Sequence, residues 1–276
     1  LFCNDQLHIA KGEITTMTRN QIRIGVQIQP QHTTYQAMHD AWLRSESLGV
    51  DTLWTWDHLL PLFGDPEGAS LEGWTTLAAM AVATERVEIG ALVTAVPYRK
   101  PALLGDMART VDQISNGRLI LGIGAGGAER DFRESGYEYG TDADRLREMK
   151  AAIPVIRKRI EERKPAPVNG KVPFLIGGMG EKVTLRIVAE QADIWNGMTT
   201  PEHMAHLNGV LDEWCRKIGR DPSEIERSAL LIKPEEVDRA DDYLAAGVTH
   251  LIYSFRGPEY DLTQAKRLLD WRDANR

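Results

Sequence analysis

Ile22–Gly49 reads IRIGVQIQPQHTTYQAMHDAWLRSESLG, and its two halves follow different rules. Ile22–Gln29 is apolar and β-branched and stops at Pro30, the pattern of a buried strand. Tyr35–Leu48 places Ala37, Met38, Ala41, Trp42 and Leu48 at helical spacing, and Gly49 closes the helix. The same unit recurs along the chain. Further strands are predicted at Thr52–Trp56, Val87–Val93, Arg118–Gly124, Pro173–Ile176, Asp193–Asn196, Ser228–Ile232 and His250–Phe255. The helices that follow are Trp74–Ala83, Ala102–Ile114, Asp142–Glu162, Glu181–Glu190, Pro201–Ile218, Glu235–Ala246 and Leu262–Ala274. Strict alternation of strand and helix implies a parallel sheet. Eight such units in about 260 residues imply an α/β fold of the closed (β/α)8 TIM-barrel type, since open doubly wound sheets more often hold about five to seven strands.

No composition break marks a second domain, so residues 17–276 are expected to form a single barrel. Residues 1–16, which precede the first strand pattern, are expected to lie outside it. The chain has 276 residues and a net charge of −7, from 33 Lys and Arg against 40 Asp and Glu. That balance argues against nucleic-acid binding, which needs a basic face. No run approaches the roughly 18 apolar residues of a membrane span. Cys3 and Cys215 are too few for a disulfide framework or a four-thiolate metal site, and the composition fits a reducing cytoplasm.

Barrel active sites lie at the carboxyl ends of the strands. Ile176–Lys182 (IGGMGEK) follows a strand and is expected to open directly onto a helix. Glycines turn backbone N–H groups outward, a helix N-terminus adds partial positive charge, and Lys182 adds a full one, which together make a phosphate site. The alternative is a tight strand-to-helix turn. A second cluster, Gly122–Gly127 (GIGAGG), reads equally as a ligand loop or as a strand ending beneath something bulky. WTWDH places His58 after a strand end, suited to proton transfer near neutrality, with Asp57 beside it to orient it or cap the loop. Trp56 lies two residues back on the same face and could wall a pocket, and Gln29 and Tyr98 stand in other carboxyl-end loops. His203 and His206 share a helix face without a third ligand, so no metal is expected.

Together these stretches resemble the luciferase-like monooxygenase superfamily, in particular its branch of deazaflavin (coenzyme F420)-dependent oxidoreductases. The resemblance runs over Gln21–Phe255 through LGVDTLWTWDHLLP, EGWTTLAAMAVATERVEIGALVTAVPYRKPALL, DQISNGRLILGIGAGGAERDF and VPFLIGGMGEKVTLRIVAEQADIWNG. It implies a cofactor ring across the barrel mouth and a non-proline cis peptide in the loop after the third strand, at Thr94 and Ala95. It also implies a phosphate grip at Gly177, Gly178, Met179, Gly180 and Glu181, joined here by Lys182, with Gly124 and Gly126 beside the cofactor. The Asp-His pair with a proline three positions on, found in deazaflavin-dependent sugar-phosphate dehydrogenases, is matched by Asp57, His58 and Pro61. Those enzymes carry a Glu where this chain has Gly127, and many relatives have a longer segment than Arg163–Val172. The implied activity is hydride transfer between F420 and a small organic substrate, with reduction favoured. The alternatives are an FMN-dependent monooxygenase and a non-catalytic flavin-binding relative. Family members are commonly dimers, and Trp214 and Trp271 are candidates for an exposed aromatic face.

Overall fold

The structure, a computed structural model, describes residues 22–275, so the expectation about residues 1–16 falls outside the described part. The strands are β1 (Arg23–Ile28), β2 (Thr52–Thr55), β3 (Glu88–Ala91), β4 (Thr94–Ala95), β5 (Leu119–Gly124), β6 (Phe174–Gly177), β7 (Ile194–Gly197), β8 (Glu226–Leu231) and β9 (His250–Phe255). The helices are α1 (Tyr35–Leu48), α2 (Gly73–Ala83), α3 (Pro101–Ile114), α4 (Glu129–Glu134), α5 (Asp142–Glu162), α6 (Thr184–Gln191), α7 (Pro201–Ile218), α8 (Pro234–Val237), α9 (Ala240–Ala245) and α10 (Thr263–Ala274). Pairing runs β3-β2-β1-β9-β8-β7-β6-β5, every pair is parallel, and β3 pairs with β5 to close the ring. The result is the eight-stranded parallel barrel expected from the alternation, with the two-residue β4 added along the end of β5.

Local chemistry sets the element ends. The Thr34 hydroxyl accepts from the Ala37 amide to start α1, and Gly49, at φ 94°, ends it in the left-handed region that glycine adopts freely. Arg118 donates to the carbonyls of Ala81, Thr84 and Val87, satisfying the last turn of α2 while its own strand begins. Most boundaries shift by a residue or two from the sequence reading, and some differences are larger in kind. The third strand ends at Ala91 rather than Val93, the helix expected at Glu235–Ala246 is broken into α8 and α9, α4 was not foreseen, and α6 begins at Thr184 rather than Glu181.

Alternate residues face inward and stack in layers. Trp54, Leu92, Ile120, Leu175, Ile194 and Ile252 fill the barrel's middle, while a larger apolar cluster lies between the barrel wall and the helices. At the amino-terminal end the interior is polar. Arg23 pairs with Glu88 and, at 2.9 Å, with Glu226, and buried His250 meets the Thr52 hydroxyl at 2.9 Å. Gly25 is required there, because a Cβ on it would stand 2.4 Å from Thr52 Oγ1. Burial, reinforced by Arg23, holds His250 well below the usual histidine range, so it is neutral. No described helix is long and apolar enough to cross a membrane. Trp214 and Trp271 are half-buried, and their indole N–H groups donate to the Glu181 carbonyl and to Asp241. They therefore do not form the exposed aromatic face expected of them.

Candidate active site

The inward row of β2 continues past its end as Trp54, Trp56 and His58. His58 stands at the carboxyl-end mouth with its ring edge-on to Trp56, centroids 5.4 Å apart. Its Nδ1 lies 2.9 Å from Oδ2 of Asp131 in α4. Asp131 also accepts from the Leu60 amide at 2.9 Å and from the Tyr98 hydroxyl at 3.1 Å. Burial works to raise the Asp131 carboxyl, but the His58 hydrogen bond and charge, with the Leu60 and Tyr98 donors, outweigh it and hold the group below the usual range. An ionised Asp131 accepts a hydrogen bond from Nδ1–H and leaves Nε2 as the free edge. The side chain of Asp131 is 2% exposed and that of His58 31%, so the imidazole, not the carboxylate, reaches the mouth.

Asp57 does not do this work. Successive residues of an extended chain face opposite ways, so an Asp next to the His cannot share its face. Asp57 turns outward and is buried, paired with Arg99 at 2.6 and 2.8 Å and accepting from the Ala95 amide at 3.1 Å. Burial pushes its carboxyl up to about 6 against the pull of Arg99. It fastens the loop after β3 to the end of β2. Tyr98 likewise lies inside the protein, packed on Phe132 and Tyr137, where burial and Asp131 raise its hydroxyl and keep it a donor.

The loop after β3 carries a non-proline cis peptide at Leu92–Val93, two residues before the expected Thr94–Ala95. Thr94 is buried, its hydroxyl 3.2 Å from the Trp74 indole nitrogen, and Ala95 is tied to Asp57, so neither opens onto the mouth. Val93 takes that place. A Cβ on Gly124 would stand 2.7 Å from the Val93 side chain, and one on Gly177 would stand 2.9 Å from it. Gly126, at φ 76°, makes the same kind of room for Phe132. The strand-end glycines thus leave room for protein side chains, Val93 over Gly124 and Phe132 over Gly126. Gln29 is buried just past the carboxyl end of β1. Its Nε2 donates to Ser254, Ser254 donates to Gln27, and Gln27 donates to the Leu92 carbonyl at 2.8 Å. Gln29 therefore braces the mouth from inside through its Nε2, while its buried Oε1 has no hydrogen-bond partner among the described residues and is left for a pocket contact.

Across the mouth lies Gly177–Lys182. The Gly178 amide is spent on the Asn196 carbonyl, and Gly180 leaves space for the Thr184 hydroxyl. The amides of Met179, Gly180, Glu181 and Lys182 donate to no main-chain carbonyl among the described residues. Met179, Glu181 and Lys182 are exposed, and Lys182 forms no ion pair among the described residues. Free amides beside a lysine and just ahead of α6 suit a phosphate group. Glu181 meets His206 at 3.1 Å, and His206 stacks on His203, whose Nδ1 meets the Thr199 hydroxyl at 3.0 Å. No group of three or more His, Cys, Asp or Glu among the described residues could hold a metal ion. A planar group with a phosphate tail fits these residues, with donors for the tail on one side, Val93 at the centre and a histidine on the other.

Asp131 is the residue that sequence reasoning missed. The available signal was positional: it follows the glycines of β5, a strand separated from β2 only by β3, so its loop adjoins that of His58.

Comparison with known proteins agrees with the architecture. The first 117-residue match, at 33% identity, is to the F420-dependent glucose-6-phosphate dehydrogenase of Amycolatopsis mediterranei, covering 42% of this chain and 35% of that one. The 5,10-methylenetetrahydromethanopterin reductase of Archaeoglobus fulgidus is 27% identical over 233 residues, 79% of this chain and 66% of the relative. This chain thus spans between about a third and two thirds of the length of these relatives. A solved F420-dependent secondary alcohol dehydrogenase, in complex with an F420–acetone adduct, superposes with a TM-score of 0.79 at 18% identity, covering 91% of this chain and 98% of that one. Residues 13–233 match the family described as luciferase-like monooxygenase, and the chain belongs to that family.

Proposed function

We propose that this protein is an F420-dependent oxidoreductase that passes hydride between the deazaflavin and a small organic substrate, with substrate reduction the favoured direction. The observation that carries the reading is the His58–Asp131 pair at the barrel mouth, facing a loop of free amides across a platform made by Val93. Similarity to F420-dependent dehydrogenases and reductases supports the choice of cofactor. When bound, F420 supplies a hydride carrier in which carbon replaces the flavin nitrogen that activates oxygen.

The chain's own residues have three tasks. The amides of Met179–Lys182, with the Lys182 ammonium, hold the cofactor phosphate. Val93, supported through Leu92 by Gln27, Ser254 and Gln29, presents an apolar surface at the centre of the mouth. Asp131 holds His58 in the tautomer that carries its proton on Nδ1. Protonated, His58 then has a second N–H, at Nε2, to give to the negative charge that develops on a reduced carbonyl, imine or conjugated alkene. Gly127, where an added Cβ would meet no atom within 4 Å, offers no carboxylate to take a proton from an alcohol, which favours reduction over sugar-phosphate oxidation. Anaerobic assay of reduced F420 against enones, imines and quinones tests the reading. F420 oxidation dependent on one of these classes supports it; product formation only with FMN and in proportion to oxygen consumed refutes it.

A further inference from the structure

The inward row of β9 (His250, Ile252, Ser254) continues past the strand end to Arg256. Its guanidinium lies over the ring of Phe63, 5.0 Å from the centroid, and it forms no ion pair among the described residues. The Phe63 ring is 6.4 Å from that of Trp56, and Trp56 is 5.4 Å from His58. One wall of the mouth therefore runs from a fixed positive charge, along two aromatic faces, to the proton donor.

This wall is held in place. The Phe63 carbonyl accepts from His32 Nε2 at 2.6 Å and from Gln31 Nε2 at 3.3 Å, and the Leu62 amide donates to Gln31 Oε1 at 2.8 Å. Gly68 closes the loop onto the His32 ring, where a Cβ would stand 2.4 Å away. Fixed in this way, Phe63 is still 45% exposed, and so are Met198 (50%) and Ile232 (39%) at the ends of β7 and β8.

A guanidinium stacked on an aromatic ring keeps its planar fork of donors free and is weakly hydrated, which suits it to a carboxylate. The chain's net charge of −7 repels anions, so an unneutralised cation at the mouth favours anion capture locally against the field of the whole. The phosphate loop does not account for it, since β6 and β9 are three strands apart. We propose that Arg256 and Phe63 form a substrate clamp, and that the substrate is a flat, apolar organic acid. Its carboxylate sits on Arg256, its body lies along Phe63 and Trp56, and its reducible group points towards His58. The assignment rests on the mouth being the substrate chamber, and not on which cofactor occupies it.

Calorimetric titration of the full chain with matched acids and primary amides tests the clamp: benzoate and benzamide, trans-cinnamate and cinnamamide, 3-phenylpropionate and its amide. At least one acid should bind about tenfold tighter than its amide, the scale of a charge-assisted bidentate contact. That preference should weaken as salt is raised. Arg256→Gln should reduce it to about twofold or less with an unchanged melting temperature, and Arg256→Lys should keep part of it. Phe63→Leu should weaken acid and amide alike. Absence of any acid preference in the unmodified protein, or its persistence in Arg256→Gln, overturns the proposal. Acid-selective binding together with product formation only with FMN and oxygen would leave the clamp standing and remove the F420 reading; F420 turnover without acid selectivity would do the reverse.

Discussion

His58 Nδ1 and Asp131 Oδ2 lie 2.9 Å apart although 73 positions separate them in the chain. The contact joins the loop after β2 to the short helix after β5, and the same carboxylate holds the Leu60 amide and the Tyr98 hydroxyl. One buried group thereby fixes the ring, the loop that carries the ring and the turn after β4.

Removing the ring should remove the acid. His58→Ala is expected to lower turnover by about a hundredfold or more, the usual scale for a lost general acid. Cofactor affinity should change far less, because the phosphate grip lies across the mouth. Steady-state rates with reduced F420, paired with a fluorescence titration of the cofactor, separate the two effects. Unaltered turnover in a variant that still binds cofactor would move the acid elsewhere.

Asp131→Asn keeps the shape and loses the charge that selects the tautomer. Turnover should fall by about tenfold or more. Nitrogen-15 spectra of the His58 ring should show the Nδ1–H form depleted relative to the unmodified protein. Stability should fall by about 1–3 kcal/mol, since three donors then share a poorer acceptor. An unchanged tautomer with reduced turnover would contradict the positioning role.

At the phosphate side, Lys182→Ala should weaken cofactor binding by about 1–2 kcal/mol and spare the rate at saturating cofactor. The same titration at two salt concentrations checks it: the unmodified protein should lose more affinity with salt than the variant. Equal affinity in both proteins would take Lys182 out of the site.

Gly177→Ala tests the platform. The added Cβ would press on Val93, whose side chain stands 2.9 Å away, and overpacking of this kind costs about 1–3 kcal/mol. Cofactor affinity should drop, and Val93→Ala in the same chain should restore part of it. A drop that Val93→Ala does not relieve would mean that Gly177 touches the ligand itself.

The fold could be read from the sequence because each strand is buried on both faces and each helix on one, so apolar spacing alone separates them. Ile22–Gln29 and Asp142–Glu162 are recovered almost to the residue. The mouth was less legible, since its geometry depends on which loops meet. Nothing in LVTAVPY marks Val93 rather than Thr94 as the residue over the barrel, because that choice depends on where β3 leaves the ring. Adjacency in WTWDH pointed to Asp57 as the partner of His58, whereas strand alternation gives Asp57 to Arg99 and leaves the histidine to a carboxylate from another loop.

The polar floor of the barrel gives a pH dependence. His250 is held neutral in the fold, whereas in the unfolded chain it titrates near about 6.5. Below that pH the unfolded state takes up a proton that the folded state does not. Stability should therefore fall as pH drops through this range, by at most about 1.4 kcal/mol per unit. Glu226, raised by burial, acts in the opposite sense and lies 3.5 Å from His250 Nδ1, so substitution of His250 reports the pair. Urea midpoints of the unmodified protein and His250→Gln at about pH 7.5 and 5.5 should show a smaller acid loss in the variant. The same loss in both would assign the effect to other groups.

The central claim, a deazaflavin seated between Gly177–Lys182 and His58, is tested most directly by titrating cofactor-free protein with F420 and with FMN while following fluorescence. The account predicts F420 binding at micromolar or lower concentration, weakened by Lys182→Ala and by added phosphate, with FMN binding more weakly. Micromolar FMN binding with no binding of F420 would contradict it.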